Sequence, residues 1–224
     1  MTTVERVTNE TSVRIELSPA IANQEGVGPG AGTGTTAGGP GTAAGGPGTA
    51  TAPGGLGSAD PSAASISTGA PFLDHMLHTL GRYAALDLRV RASGDLRHHL
   101  VEDVAITLGL ALRDALPETC ARYGHAHVPM DEALVAATVD LGGRAYYEGP
   151  VPSSLYDHFL RSFADNARST LHVRVLRGRD RHHVVEAAFK ALGLALRQAL
   201  VEEGAVFSTK GAVRIERSTG ARED

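Results

Sequence analysis

One stretch of the chain occurs twice, and this repeat constrains the fold more than any other feature. Residues 98–116, HHLVEDVAITLGLALRDAL, recur as residues 182–200, HHVVEAAFKALGLALRQAL, and 12 of the 19 aligned positions are identical. The similarity extends upstream, because DHML at 74–77 matches DHFL at 157–160. A match of this density indicates a duplicated unit, so we expect two similar halves.

Each copy predicts the same order of elements: a helix, a strand, a short turn and a second helix. LDLRVRA in the first copy and LHVRVLR in the second alternate as strands do, and the GD and GRD that follow predict turns. Apolar residues recur at helical spacing in the second helix of each copy, so these two helices should pack near each other around a pseudo-twofold axis. SVRIEL and ALVAATVDL predict further strands. We therefore predict an α+β architecture of two similar halves, with helices packed on one face of the sheets.

The repeats are predicted to form a single domain, 1–224, with pseudo-repeats at 1–116 and 128–210. Residues 26–64 interrupt this domain with a composition dominated by Gly, Pro, Ala and Thr, and 14 of the chain's 27 glycines lie there. Such a segment buries little apolar surface, so we interpret it as a flexible insert. A long insertion costs little, since loop-closure entropy grows only logarithmically with length.

Charge and apolar patterning exclude several functional classes. The net charge of −4 gives no basic footprint for nucleic acid, and no run of 18 apolar residues predicts a membrane span. The polar start MTTVERVTNE lacks the apolar core of a signal peptide. Cys120 is the single cysteine, which excludes an intrachain disulfide and favours a cytoplasmic location.

The repeated HHxxE pattern predicts a metal centre. In each copy the glutamate follows the first histidine by four residues and the second by three, spacings that bring side chains together on a helix. Adjacent histidines diverge by about 100° on a helix, so each cluster contributes to two sites or lies between two ions. Histidine with carboxylate favours Mn, Fe, Ni or Zn over Ca or Mg.

Other histidines are weaker candidates. His75 begins the first DHML segment, His158 matches it in the alignment of the repeats, and His172 lies on a predicted strand. His78 is expected to be exposed or to lie outside the ligand set. His125 and His127 are expected in a solvated polar loop.

Six motifs in order resemble the imidazoleglycerol-phosphate dehydratase family: GAPFLDHML, HHLVEDVAI, RYGHAHVPMDEAL, DLGGRAYY, LHVRVLRGRDRHHVVEAAFKAL and STKG. The resemblance implies a carbon–oxygen lyase of histidine biosynthesis. It also implies an α+β fold like domain 2 of ribosomal protein S5, in which two similar βαβ-type repeats have helices packed between or on mixed β-sheets. It also implies two Mn²⁺ ions per active site and a 24-subunit, trimer-based homo-oligomer with active sites at subunit interfaces. No nucleic-acid or membrane partner is expected.

The resemblance also implies the roles of individual residues. The implied metal ligands are His75, His98, His99, Glu102, His172, His182, His183 and Glu186. The implied catalytic groups are Glu10, Glu186 and His75. The implied contacts to the phosphate-bearing substrate are Glu10, Arg122, Arg144, Lys190, Ser208, Thr209 and Lys210.

The implied reaction converts imidazole glycerol phosphate to imidazole acetol phosphate with loss of water. The hydrogen that leaves is on a carbon that no carbonyl acidifies, so the imidazole ring must act as the electron sink. Two ions on the two ring nitrogens would stabilise an imidazolate, which gives the duplicated cluster a purpose. Two alternatives remain: another dinuclear His/Glu enzyme such as a hydrolase, and a metal-binding shell protein, which would need no phosphate contacts.

Overall fold

The computed structural model describes residues 1–19, 65–117 and 119–203. The predicted insert 26–64 and the three substrate contacts Ser208, Thr209 and Lys210 lie outside these residues. In chain order the elements are β1 (Thr2–Val7), β2 (Thr11–Pro19), β3 (Ile66–Ser67), α1 (Pro71–Ala84), β4 (Leu86–Gly94), α2 (Arg97–Asp114), β5 (Tyr123–Met130), β6 (Ala133–Asp140), β7 (Tyr146–Glu148), α3 (Ser154–Asn166), β8 (Thr170–Arg177) and α4 (Arg181–Ala199).

The strands form two four-stranded sheets with the same topology. Their orders are β1-β2-β4-β3 and β5-β6-β8-β7. In each sheet three strands pair antiparallel, and the fourth, β3 or β7, pairs parallel to the strand that follows the next helix. Each half therefore contains a βαβ unit in a mixed sheet, and the predicted fold class is confirmed.

The strands follow from alternation of apolar and polar residues. In β2, Val13, Ile15 and Leu17 are buried while the residues between them face outward, which orients one face of the sheet toward the helices. The prediction of a polar loop around His125 and His127 is wrong, because both lie in β5. They alternate with less exposed residues and face solvent, so the strand is amphipathic.

The helices pack crosswise between the repeats. α1 of the first repeat packs on α4 of the second, and α3 of the second packs on α2 of the first. A Cβ atom on Gly109 would lie 2.6 Å from the Phe163 carbonyl oxygen, and one on Gly193 would lie 2.7 Å from the Tyr83 Cβ. These glycines are equivalent by the 84-residue offset and allow both close approaches. In the part of the chain that the structure describes, none of the helices has the length and apolar character needed to cross a membrane.

Candidate metal centre

The second HHxxE segment lies on the first turns of α4. Asp180 caps this helix, since its side chain accepts a 2.7 Å hydrogen bond from the His182 backbone amide. The Nε2 atoms of His182 and His75 lie 3.1 and 3.3 Å from the same Glu186 oxygen, Oε2. His75, His182 and Glu186 are called the second cluster below.

The first HHxxE segment lies on α2 and gives a comparable group. Nε2 of His98 is 3.7 Å from Oε2 of Glu102, and Nε2 of His158 is 3.2 Å from Oε1 of Glu102. The rings of His98 and His158 stack with centroids 5.1 Å apart. His98, Glu102 and His158 are called the first cluster below.

Each cluster combines both repeats because the helices pack crosswise. His75 comes from α1 of the first repeat but joins α4, and His158 comes from α3 of the second repeat but joins α2. His158 was ranked below His172 from the sequence, yet within one chain it is His158 that joins a ligand group. His172 lies in β8, where its exposed ring is 5.6 Å from that of Tyr146.

The chemistry and spacing of each cluster fit a transition-metal ion. Bonds of about 2.0–2.2 Å at right angles place two ligand atoms about 3 Å apart, close to the distances in the second cluster. In each cluster one ligand atom from every residue lies within 4.8 Å of the others. Imidazole and carboxylate together suit Mn, Fe, Ni or Zn.

Glu186 is the buried carboxylate of the second cluster. Its residue is 6% exposed, and Nζ of Lys190, one helical turn on, lies 2.9 Å from Oε1. Burial favours the neutral acid, but hydrogen bonds from Lys190 and His75 outweigh it and hold the pKa of Glu186 below its usual value. Glu186 is therefore ionised at neutral pH, the form of a carboxylate that can bind a metal ion. Lys190 also contacts the Met130 sulfur at 3.3 Å.

The second histidine of each pair is held by a carboxylate at Nδ1. Asp95 lies 3.1 Å from Nδ1 of His99, and Glu132 lies 2.7 Å from Nδ1 of His183. These hydrogen bonds raise the pKa of both histidines. A carboxylate at Nδ1 favours the tautomer in which Nε2 can accept a metal ion. Sequence reasoning missed Asp95 and Glu132.

Glu132 is anchored more firmly than its neighbours. Its Oε1 accepts hydrogen bonds from the backbone amides of Asp180 at 2.7 Å and Arg179 at 3.1 Å. The Asp180 amide, the His183 side chain and the Arg179 amide lower the pKa of Glu132 to about 2. Glu132 lies in the β5–β6 turn, and the predicted catalytic residue Glu10 lies in the corresponding β1–β2 turn, so the repeat was the signal that could have identified it.

The remaining predicted residues are spread around these groups. Oε2 of Glu10, an exposed residue, is 3.3 Å from Nδ1 of His99. Nε and Nη2 of Arg122 lie 2.5 and 3.1 Å from the Asp140 carboxylate, which raises the pKa of Arg122. Arg144 is exposed, and so is His78.

A cleft of about 590 Å³ opens beside the second cluster. Its walls include His182, Phe72 and two cations, Arg97 and Arg181. This volume lies within the range of small-molecule sites in proteins.

Comparison with known proteins identifies the family. Residues 68–196 match the family model for imidazoleglycerol-phosphate dehydratase. An imidazoleglycerol-phosphate dehydratase of Anaeromyxobacter dehalogenans is 50% identical over 172 residues, which cover 69% of this chain and 83% of the relative. One from Salinibacter ruber is 49% identical over 166 residues, covering 66% and 82%.

Two solved structures that resemble this chain are also of imidazoleglycerol-phosphate dehydratases. The Pyrococcus furiosus enzyme has a TM-score of 0.69 at 35% identity, covering 94% of this chain and all of that chain. The Staphylococcus aureus enzyme has a TM-score of 0.64 at 27% identity, covering 90% and 99%. With more than half of its length matched by the family model, the chain belongs to the imidazoleglycerol-phosphate dehydratase family.

Proposed function

We propose that this chain is a manganese-dependent dehydratase that converts imidazole glycerol phosphate to imidazole acetol phosphate. Family membership gives hydro-lyase activity in histidine biosynthesis. The metal dependence rests on one observation: two groups of His, His and Glu at equivalent positions of a duplicated fold. The cytoplasmic location stays a prediction.

The proposed cofactor is two Mn²⁺ ions per active site. When bound, the two ions stabilise negative charge that develops on the substrate's imidazole ring. The second cluster holds one ion and the first cluster contributes His98 and Glu102 to the other. The remaining proposed ligands are His99, His172 and His183.

Subunit contacts would complete the site. Within one chain the second cluster offers three donors and the first cluster offers two, His98 and Glu102, fewer than the six of an octahedral Mn site. His172 is exposed on β8 and does not join either cluster, so it is available to a neighbouring copy. These observations support active sites at subunit interfaces, and the proposed 24-subunit, trimer-based homo-oligomer rests on family membership.

Glu10 is the proposed group that moves a proton at the substrate's side-chain carbons. Its carboxylate is exposed and lies beside His99 at the edge of the site, so it can reach a bound molecule. Glu186 and His75 face each other at 3.3 Å and act in our proposal by binding the ion. Their catalytic contribution is to fix the reacting ring.

The substrate phosphate requires cations and hydrogen-bond donors. The proposed phosphate contacts are Ser208, Thr209 and Lys210. Arg144, an exposed cation two residues before β7, is a further proposed contact. Arg122 and Lys190 are already paired with carboxylates, so in our proposal they touch substrate from a fixed position.

Lys210→Ala should weaken apparent substrate affinity about tenfold or more, since a charge-assisted hydrogen bond contributes roughly 1.5–3 kcal/mol.

The direct test measures water loss from imidazole glycerol phosphate by chelator-treated protein before and after addition of Mn²⁺. We expect negligible turnover without metal and full turnover with it. Full turnover by protein verified to be metal-free would overturn the metal dependence. Fully loaded protein that forms no imidazole acetol phosphate would overturn the activity itself.

A further inference from the structure

The two HHxxE carboxylates differ in what holds their second oxygen. In the second cluster, Oε2 of Glu186 faces two histidines, and Oε1 is held by Lys190 at 2.9 Å. The equivalent of Lys190 in the first repeat, 84 residues earlier, is Ile106. An isoleucine offers no hydrogen bond, so Oε1 of Glu102 has no counterpart of the Lys190 contact.

His158 lies beside this oxygen. Its Nε2 lies 3.2 Å from Oε1 of Glu102, while Oε2 of Glu102 faces His98 at 3.7 Å. Nε2 of His158 is shielded from solvent, and no hydrogen bond of ordinary geometry satisfies it among the described residues. A buried N–H without a partner is costly, and a small rotation of the ring or the carboxylate would satisfy it.

The geometry distinguishes His158 from its counterpart in the other repeat. His75, the equivalent of His158, and His182 converge on the same oxygen of Glu186, as two ligands of one ion do. His158 and His98 instead contact different oxygens of Glu102. Oε2 of Glu102 therefore faces His98, whereas His158 lies on the side of the other carboxylate oxygen, Oε1.

We propose that His158 is a positioning residue that donates its Nε2–H to Oε1 of Glu102 and orients Oε2 toward the ion. It would do in the first repeat what Lys190 does in the second. The inference rests on the proposed metal centre and adds a residue outside its eight ligands. Glu102 needs such support, because its side chain is 35% exposed against 8% for Glu186. Partners that orient a ligand typically contribute 10- to 100-fold, roughly, to metal affinity.

The test measures Mn²⁺ affinity and the number of imidazole nitrogens coupled to Mn²⁺ by pulsed electron paramagnetic resonance. The variants are His158→Ala, His158→Gln and His158→Ala with Ile106→Lys, each checked for assembly. We expect His158→Ala to weaken one of the two sites about 10- to 100-fold with an unchanged imidazole count. Gln keeps an N–H donor, and lysine at 106 copies Lys190, so both should restore most of the affinity.

Two results would overturn the inference. Unchanged affinity in His158→Ala would show that His158 does not orient Glu102. Loss of one coupled imidazole, with no recovery in His158→Gln, would make His158 a ligand. If alanine prevents folding, the same readings on His158→Gln decide, because a ligand role predicts weak binding there. Wild type and His182→Ala are the controls. If the proposed metal centre itself is wrong, wild type will not bind Mn²⁺, whereas an error confined to His158 leaves Mn²⁺ binding by wild type intact and its loss in His182→Ala visible.

Discussion

The two clusters have the same plan but different surroundings. Each takes the HHxxE residues from the second helix of one repeat and a histidine from the first helix of the other. Glu186 is buried and paired with Lys190, whereas Glu102 is partly exposed and faces His158. The two repeats thus contain equivalent HHxxE residues, but the carboxylate of each cluster has a different neighbour.

The β5–β6 and β1–β2 turns also differ in how firmly each holds its glutamate. Glu132 in the β5–β6 turn is fixed by two backbone amides, and its pKa is about 2. Glu10 in the β1–β2 turn is exposed and contacts His99 at 3.3 Å. An anchored carboxylate with so low a pKa is a poor proton carrier at neutral pH. This difference agrees with our proposal, in which Glu132 positions His183 and Glu10 moves the proton.

Removing a histidine ligand should have the largest effect. His182→Ala and His98→Ala should each lower kcat by roughly 100-fold or more, because the proposed reaction needs both ions. His78→Ala, an exposed change on α1, is the matched control and should leave turnover near wild type. A variant of either cluster with wild-type kcat would show that this cluster is not catalytic.

Lys190→Met should have the next largest effect. It leaves Glu186 buried without its cation, and breaking a buried pair costs about 3–5 kcal/mol, reduced here by the 18% exposure of Lys190. We expect a kcat lowered about 10- to 100-fold and a lower melting temperature. Ile106→Met, the equivalent change in the first repeat, is the control. Equal effects of the two substitutions would contradict the difference between the clusters.

The crosswise packing predicts a smaller effect on stability. Gly109→Ala and Gly193→Ala should each destabilise the fold by roughly 1–3 kcal/mol, as overpacking does. Gly109→Ala should cost more, because its Cβ would meet atoms of three residues at 2.6–2.9 Å, whereas at Gly193 only the Tyr83 Cβ lies that close, at 2.7 Å. Urea unfolding measures both, and a neutral Gly109→Ala would disprove the close approach of α2 and α3.

The smallest predicted effect is the acid dependence of the Glu132 anchor. A folded pKa of about 2, below the ordinary 4.5, means that Glu132 adds stability above about pH 4.5 and loses it as the pH falls toward 2. In metal-free protein, Glu132→Gln should lower the urea midpoint at pH 6, and the difference from wild type should shrink by pH 3.5. Glu10→Gln should change the midpoint little but lower turnover. A Glu132→Gln difference that is constant with pH would contradict the anchor.

Much of the local structure could be predicted from the sequence. Periodicity predicted the helices of both repeats and the strands β2, β4, β6 and β8, because amphipathic patterns report local burial. It did not predict β1, β3, β5 and β7. The error at His125 and His127 arose because polar residues in GHAHV were taken to mean a loop, although they alternate with Gly124 and Val128, which are buried in β5. An exposed face of an amphipathic strand is as polar as a loop.

The composition of each cluster could not be predicted from the repeat alone. The sequence places His75 with the first HHxxE segment, but it joins the second, since α1 packs on α4. Such packing depends on contacts between residues far apart in the sequence. The contacts of His158 with Glu102 and of Glu132 with His183 are also long-range.

The central claim is that the two clusters contribute to two distinct ion sites. Counting the bound ions tests this claim most directly. Equilibrium dialysis of assembled protein with Mn²⁺ should give about two ions per chain for wild type. Glu102→Gln and Glu186→Gln should each retain about one, with the remaining ion at near wild-type affinity. Wild-type protein that saturates at one ion per chain with full activity would contradict the account.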